Sequence, residues 1–133
     1  MRVERVIKVK HRYGEWAVFA KVVNGSPRYE CLDASNPCRN VEWTGKVLRI
    51  GFCEYRRSDC EVETLKSVHF KYEGYDVIVA QHKIHGETFY TVYTRHETDK
   101  EWEAAERPQE WMSWQMCARV GQAMKELESR GHD

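Results

Sequence analysis

Three turn dipeptides ending in glycine, Asn24-Gly25, Glu73-Gly74 and His85-Gly86, each stand between short runs rich in Val, Ile, Thr, Tyr and Phe. This punctuation restricts the chain more than any other feature. A residue pair that tolerates positive φ reverses the backbone within two positions, so the flanking runs must lie antiparallel and side by side. Asn24-Gly25 is the strongest of these signals and joins a strand over 16–23 to its return over 27–32. Glu73-Gly74 and His85-Gly86 join 67–72, 75–84 and 87–95 into a three-strand meander.

The rest of the first 96 residues follows the same logic. Val3, Arg5, Ile7 and Val9 alternate with a face carrying Lys8, Lys10 and Arg12, the period of a half-buried strand with a basic outer side. Residues 33–40 are loop chemistry, dense in Asn, Asp, Ser and Pro. A further strand is expected over 46–55, ended by the turn Arg56-Arg57-Ser58-Asp59. Residues 59–66 fit either a short helix capped by Asp59 or a strand in which Val62, Thr64 and Val68 alternate.

After residue 96 the pattern becomes helical. Thr98-Asp99-Lys100-Glu101 matches a capping box, in which the two side chains satisfy unpaired N–H groups of a first helical turn, and predicts a short acidic helix from Asp99. Pro108 ends that helix and suits the first position of a second one running to about Arg130, before Gly131. At about 100° per residue, Met112, Met116, Val120, Ala123, Met124 and Leu127 form one apolar stripe, with Gln115, Arg119, Gln122 and Glu126 opposite. The expected fold is α+β in a single domain, 1–133. An antiparallel sheet of about six strands over 1–96, made of hairpins and a meander, packs against the C-terminal amphipathic helix. Residues 97–133 supply the short acidic helix and the long helix.

Charge is unevenly spread. Residues 1–57 carry twelve Lys/Arg against six Asp/Glu and residues 58–133 carry nine against fifteen, for a net charge of zero. Such asymmetry points outward, to charged partners. On the basic side, Lys8, Lys10, Arg12, Arg56 and Arg57 can neutralise phosphates, and Tyr13, Trp16 and Tyr55 offer stacking faces, as in a nucleic-acid-binding module. Against this stand the zero net charge and the lack of the Gly-Phe aromatic run of an RNA-recognition sheet. On the acidic side, Glu101, Glu103 and Glu106 precede Trp111 and Trp114, which lie outside the helix stripe and form a candidate partner-binding surface.

Catalytic and metal signatures are weak. The sequence holds no G-x-S-x-G elbow, phosphate loop, G-x-G-x-x-G or H-E-x-x-H. Cys31/Cys38 and Cys53/Cys60 share a six-residue gap that suggests a four-thiolate zinc site, but structural zinc sites usually space paired ligands two to four residues apart. His82 and His85 sit near one end of a hairpin and His96 near its other end, while His11 and His69 read as satisfied strand residues. No cofactor is expected.

The start of the chain lacks the apolar run of a signal peptide, and nowhere does it approach the roughly 20 apolar residues of a membrane span. Five cysteines, an odd number, agree with a reducing cytoplasm. The sequence therefore suggests a small cytoplasmic interaction protein rather than an enzyme, an inhibitor or adaptor comparable to small phage-encoded inhibitors, docking on a protein or ribonucleoprotein partner. A nucleic-acid-binding module is the first alternative. A small-ligand pocket between sheet and helix is the second.

Overall fold

A computed structural model describes residues 4–33, 40–99, 102–105 and 112–130. Among the described residues ten strands form, every ladder antiparallel, where about six were expected, and a C-terminal helix packs on the sheet. They are β1 (Arg5–His11), β2 (Gly14–Val23), β3 (Ser26–Cys31), β4 (Asn40–Trp43), β5 (Val47–Ile50), β6 (Cys53–Arg56), β7 (Glu61–Tyr72), β8 (Tyr75–Ile84), β9 (Glu87–His96) and β10 (Glu103–Ala105). The helix is α1 (Trp114–Arg130), and a 3-10 turn covers Arg57–Asp59. Two compact units divide the chain, Met1–Leu65 and Lys66–Asp133, and β7 runs from one into the other.

The extra strands have local causes. The run expected as one strand over 46–55 folds into the β5–β6 hairpin because Gly51, at a φ of 59°, supplies a left-handed position in its middle. Residues 40–43 form β4, and the ambiguous segment 59–66 enters β7 as strand from Glu61 onward. Asn24, Glu73 and His85 all take positive φ beside their glycines, so the three signalled hairpins form in register.

In the first unit the strand order is β7–β1–β2–β3–β4–β5–β6. Laid flat, its outer strands would be six spacings of about 4.8 Å, roughly 29 Å, apart. Only the 3-10 turn and Cys60 lie between Arg56 and Glu61, and five residue steps reach at most about 18 Å. The strip must therefore curl. It does so around Ile7, Val9, Val18, Ala20, Cys31, Val41, Leu48 and Ile50, with Trp16, Tyr29, Trp43 and Cys60 packed against them. Those on strands share one pleated face, as the registers Ile7↔Val18↔Cys31 and Tyr29↔Val41↔Ile50 require.

In the second unit, β7 to β10 carry a face on which Val77, Val79 and Val92 receive Met112, Met116, Val120, Ala123 and Leu127. The expected stripe of α1 is thus its buried face, with Met124 at the margin. The helix begins at Trp114 rather than at Pro108, which lies outside the described residues. Ser113 sets that start: its hydroxyl accepts the Met116 N–H at 3.3 Å and its carbonyl accepts the Cys117 N–H at 3.0 Å.

The short acidic helix expected from Asp99 is replaced, over 103–105, by strand β10 paired to β9. Thr98 does not cap a helix, because its backbone N–H and its hydroxyl both engage His96 Nδ1 and the Asp99 N–H bonds the His96 carbonyl. Trp102, 3% exposed beneath the Arg95 guanidinium at 4.6 Å, anchors the segment that leads into β10. Glu101 lies outside the described residues.

Leu127, the last residue of the buried stripe, is fully buried in the helix–sheet contact. Leu127→Ala should lower unfolding free energy by about 3 kcal/mol, read as a reduced denaturant midpoint at unchanged slope.

Candidate functional site

The curl of the first unit brings together side chains far apart in sequence. Tyr55 on β6 lies 4.4 Å from His11 and 5.2 Å from Trp16, centroid to centroid, and His11 lies 5.4 Å from Tyr13 in the β1–β2 turn. The four rings form one tier, Tyr13–His11–Tyr55–Trp16. Tyr13 is 73% exposed, and the Arg12 guanidinium stands over its ring at 5.1 Å. The Tyr13 N–H donates to His11 Nδ1 at 3.2 Å, which orients the imidazole. Trp16 folds back over Gly14 so closely that a Cβ there would meet the indole at 2.6 Å, so the turn needs glycine at this position.

A second stack lies on β3 and β4. Tyr29 and Trp43 are 5.7 Å apart, and the Arg57 guanidinium covers Trp43 at 4.9 Å while donating to the Thr44 carbonyl at 3.5 Å. Thr44 builds the β4–β5 turn by accepting the Lys46 and Val47 N–H groups on its hydroxyl. Arg57 thereby fastens the 3-10 turn to that loop, helped by its own N–H to the Lys46 carbonyl at 3.0 Å.

The basic residues of the sequence meet different fates. Lys8 is ion-paired with Glu15 at 2.7 Å and faces Glu63 across the β1–β7 ladder. Lys10 is exposed opposite Glu15 and Glu61. Arg49 bridges Glu42 and Glu54, which raise its already high pKa, the Glu54 hydrogen bond first. Arg12 belongs to the hairpin turn rather than to the strand face, and Arg12 and Arg56 are both exposed.

Of the candidate partner-binding residues, Trp114 is 78% exposed at the first position of α1 and Glu103 is exposed on β10. Trp111, Glu101 and Glu106 lie outside the described residues. Trp114, Ala118, Gly121 and Lys125 recur at helical spacing along one line, on the side of α1 away from its buried stripe. A Cβ added at Gly121 would meet nothing within 4 Å. Neither packing nor backbone geometry requires glycine there.

Thiols and imidazoles are dispersed. Cys31 is buried in the first core beside Asp33, whose carboxylate accepts its thiol at 3.2 Å, whereas Cys53 is exposed and Cys60 is packed at the core margin. Cys38 lies outside the described residues. Among those described, no group of three or more His, Cys, Asp or Glu is gathered as a metal site. His69 bonds Ser67 at 2.7 Å, and His96 meets Tyr75 edge-on at 4.9 Å. A groove of about 610 Å³, open to solvent, runs around the end of the β8–β9 hairpin, lined by His82, Ile84, Phe89, Tyr90 and, from α1, Met124.

No family model, curated protein or solved structure matches this chain. None of the described helices is long and apolar enough to cross a membrane.

The aromatic tier contains a member that sequence patterning underrates. His11 reads as an ordinary strand histidine, and its place between Tyr13 and Tyr55 depends on a β6 contact 44 positions away. The Tyr29–Trp43–Arg57 stack was equally hidden, for the same reason.

Burial, seconded by Asp59 and opposed by Arg57, pushes the Cys60 thiol pKa up and depletes its reactive thiolate. With an alkylating reagent at neutral pH, peptide mapping should find Cys53 modified first, Cys60 more slowly, and Cys31 only on unfolding.

Proposed function

We propose that this protein is a small, non-catalytic, cytoplasmic interaction protein, an inhibitor or adaptor, that docks on a protein or ribonucleoprotein partner through the outer face of α1. The observation that carries this is the exposure of Trp114. The large apolar residues of the stripe are packed on the sheet, yet a tryptophan stands in solvent at the head of the opposite face. Large exposed aromatics are over-represented among the residues that dominate interface energies.

Gly121 supports the same surface. A mid-helix glycine costs about 1 kcal/mol relative to alanine, and among the described residues no contact of Gly121 recovers that cost. A partner backbone or side chain lying close along Trp114, Ala118 and Gly121 would. Glu103 on the short edge strand β10 supplies negative charge in the same unit, where nine Lys/Arg stand against twelve Asp/Glu.

Affinity capture from the native host, followed by titration of the captured component, tests this proposal. Trp114→Ala should leave the melting temperature within about a degree, as an exposed site allows, and weaken binding by about thirtyfold or more. Gly121→Ala should stabilise the isolated protein by about 1 kcal/mol while reducing partner affinity. Capture of the same component with unchanged affinity by Trp114→Ala would remove the basis for this function.

A further inference from the structure

We infer that the Tyr13–His11–Tyr55–Trp16 tier of the first unit is a binding site for single-stranded nucleic acid. Unpaired bases stack on Tyr13 and its neighbours while Arg12 and Arg56 meet the phosphates. The site uses none of the residues of the Trp114 surface, and its test does not depend on that surface.

Stacking platforms for single strands combine accessible aromatic faces with cations that follow the backbone, and they tolerate any base because every base has a π-face. This tier has both parts. Its rings are spaced 4.4 to 5.4 Å between centroids, and its outermost member is mostly in solvent with a guanidinium over its ring. In the first unit twelve Lys/Arg stand against nine Asp/Glu, so its charge complements a polyanion although the chain as a whole is neutral.

The site is also pre-organised. The Tyr13 N–H holds His11, the missing Cβ of Gly14 holds Trp16 against the turn, and the curl of the sheet holds Tyr55 between them. Little side-chain freedom remains to be lost on binding. Lys8 is paired with Glu15 and Arg49 with Glu42 and Glu54, whereas Arg12, over the tier's outermost ring, and Arg56, the residue after Tyr55, are exposed to contact phosphate.

The occupant is single-stranded because a duplex keeps its base faces inside the stack, out of reach of the rings.

Fluorescence anisotropy with labelled oligo(dT) and oligo(U) of about 12 nucleotides, and with a duplex of equal length, tests the assignment at salt between about 50 and 200 mM. Both single strands, or one of them, should bind, the tighter identifying DNA or RNA as the source, and the duplex should bind at least about tenfold more weakly. Tyr13→Ala, at an exposed position, should keep the melting temperature and lose about tenfold in affinity. Arg12→Ala combined with Arg56→Ala should flatten the logarithmic salt dependence by about 1 to 1.5. Absence of single-strand binding at the lowest salt, equal binding of duplex, or full affinity in Tyr13→Ala would each overturn the assignment.

Discussion

Closure of the first unit rests on a short length of chain. A seven-strand order whose outer members are joined by one 3-10 turn and Cys60 cannot remain flat, since the connection is shorter than the width it would have to cross. Curling meets that limit and also creates an inside, so the alternate residues of five strands, β1 to β5, become a core. The pin at the closure point is Arg57. Its guanidinium on Trp43 and its bonds to the 44–46 turn tie the 3-10 segment to the strip it must close.

The same closure shapes the surface. Tyr55 would sit far from the β1–β2 turn on an open sheet, but the curl sets it against His11 and Trp16 and turns separate aromatics into one tier. Gly14 contributes by having no side chain, since the indole of Trp16 occupies the space a Cβ would take. The basic residues of the front half are meanwhile sorted by what lies across the ladder. Where a glutamate faces them, as for Lys8, the charge is used internally; where the chain turns, as at Arg12, it points outward.

The second unit solves a simpler problem. A meander with one apolar face needs a cover, and α1 supplies it through a stripe anchored by Leu127 and started by Ser113. Because the helix has one buried side, its far side is open, and there the sequence places Trp114, Ala118 and Gly121. An exposed tryptophan on one unit and a tier of stacked aromatic rings on the other are the surfaces on which the proposed contacts rest.

Local chemistry determined much of this protein. Glycine-bearing turns set three hairpins, period-2 runs set their strands, and helical spacing identified the stripe of α1 residue by residue. These succeed because each depends on backbone preference and side-chain direction within a few positions. The short acidic helix failed for an equally physical reason. Thr98 had a nearer partner in His96, and the segment beyond it gained more from pairing with β9 and burying Trp102 than from an isolated helical turn. Only tertiary structure decided that His11, Tyr13, Trp16 and Tyr55 would meet and that Arg57 would cover Trp43. Those outcomes depend on which strands become neighbours once the strip closes, a long-range choice that no window of sequence contains.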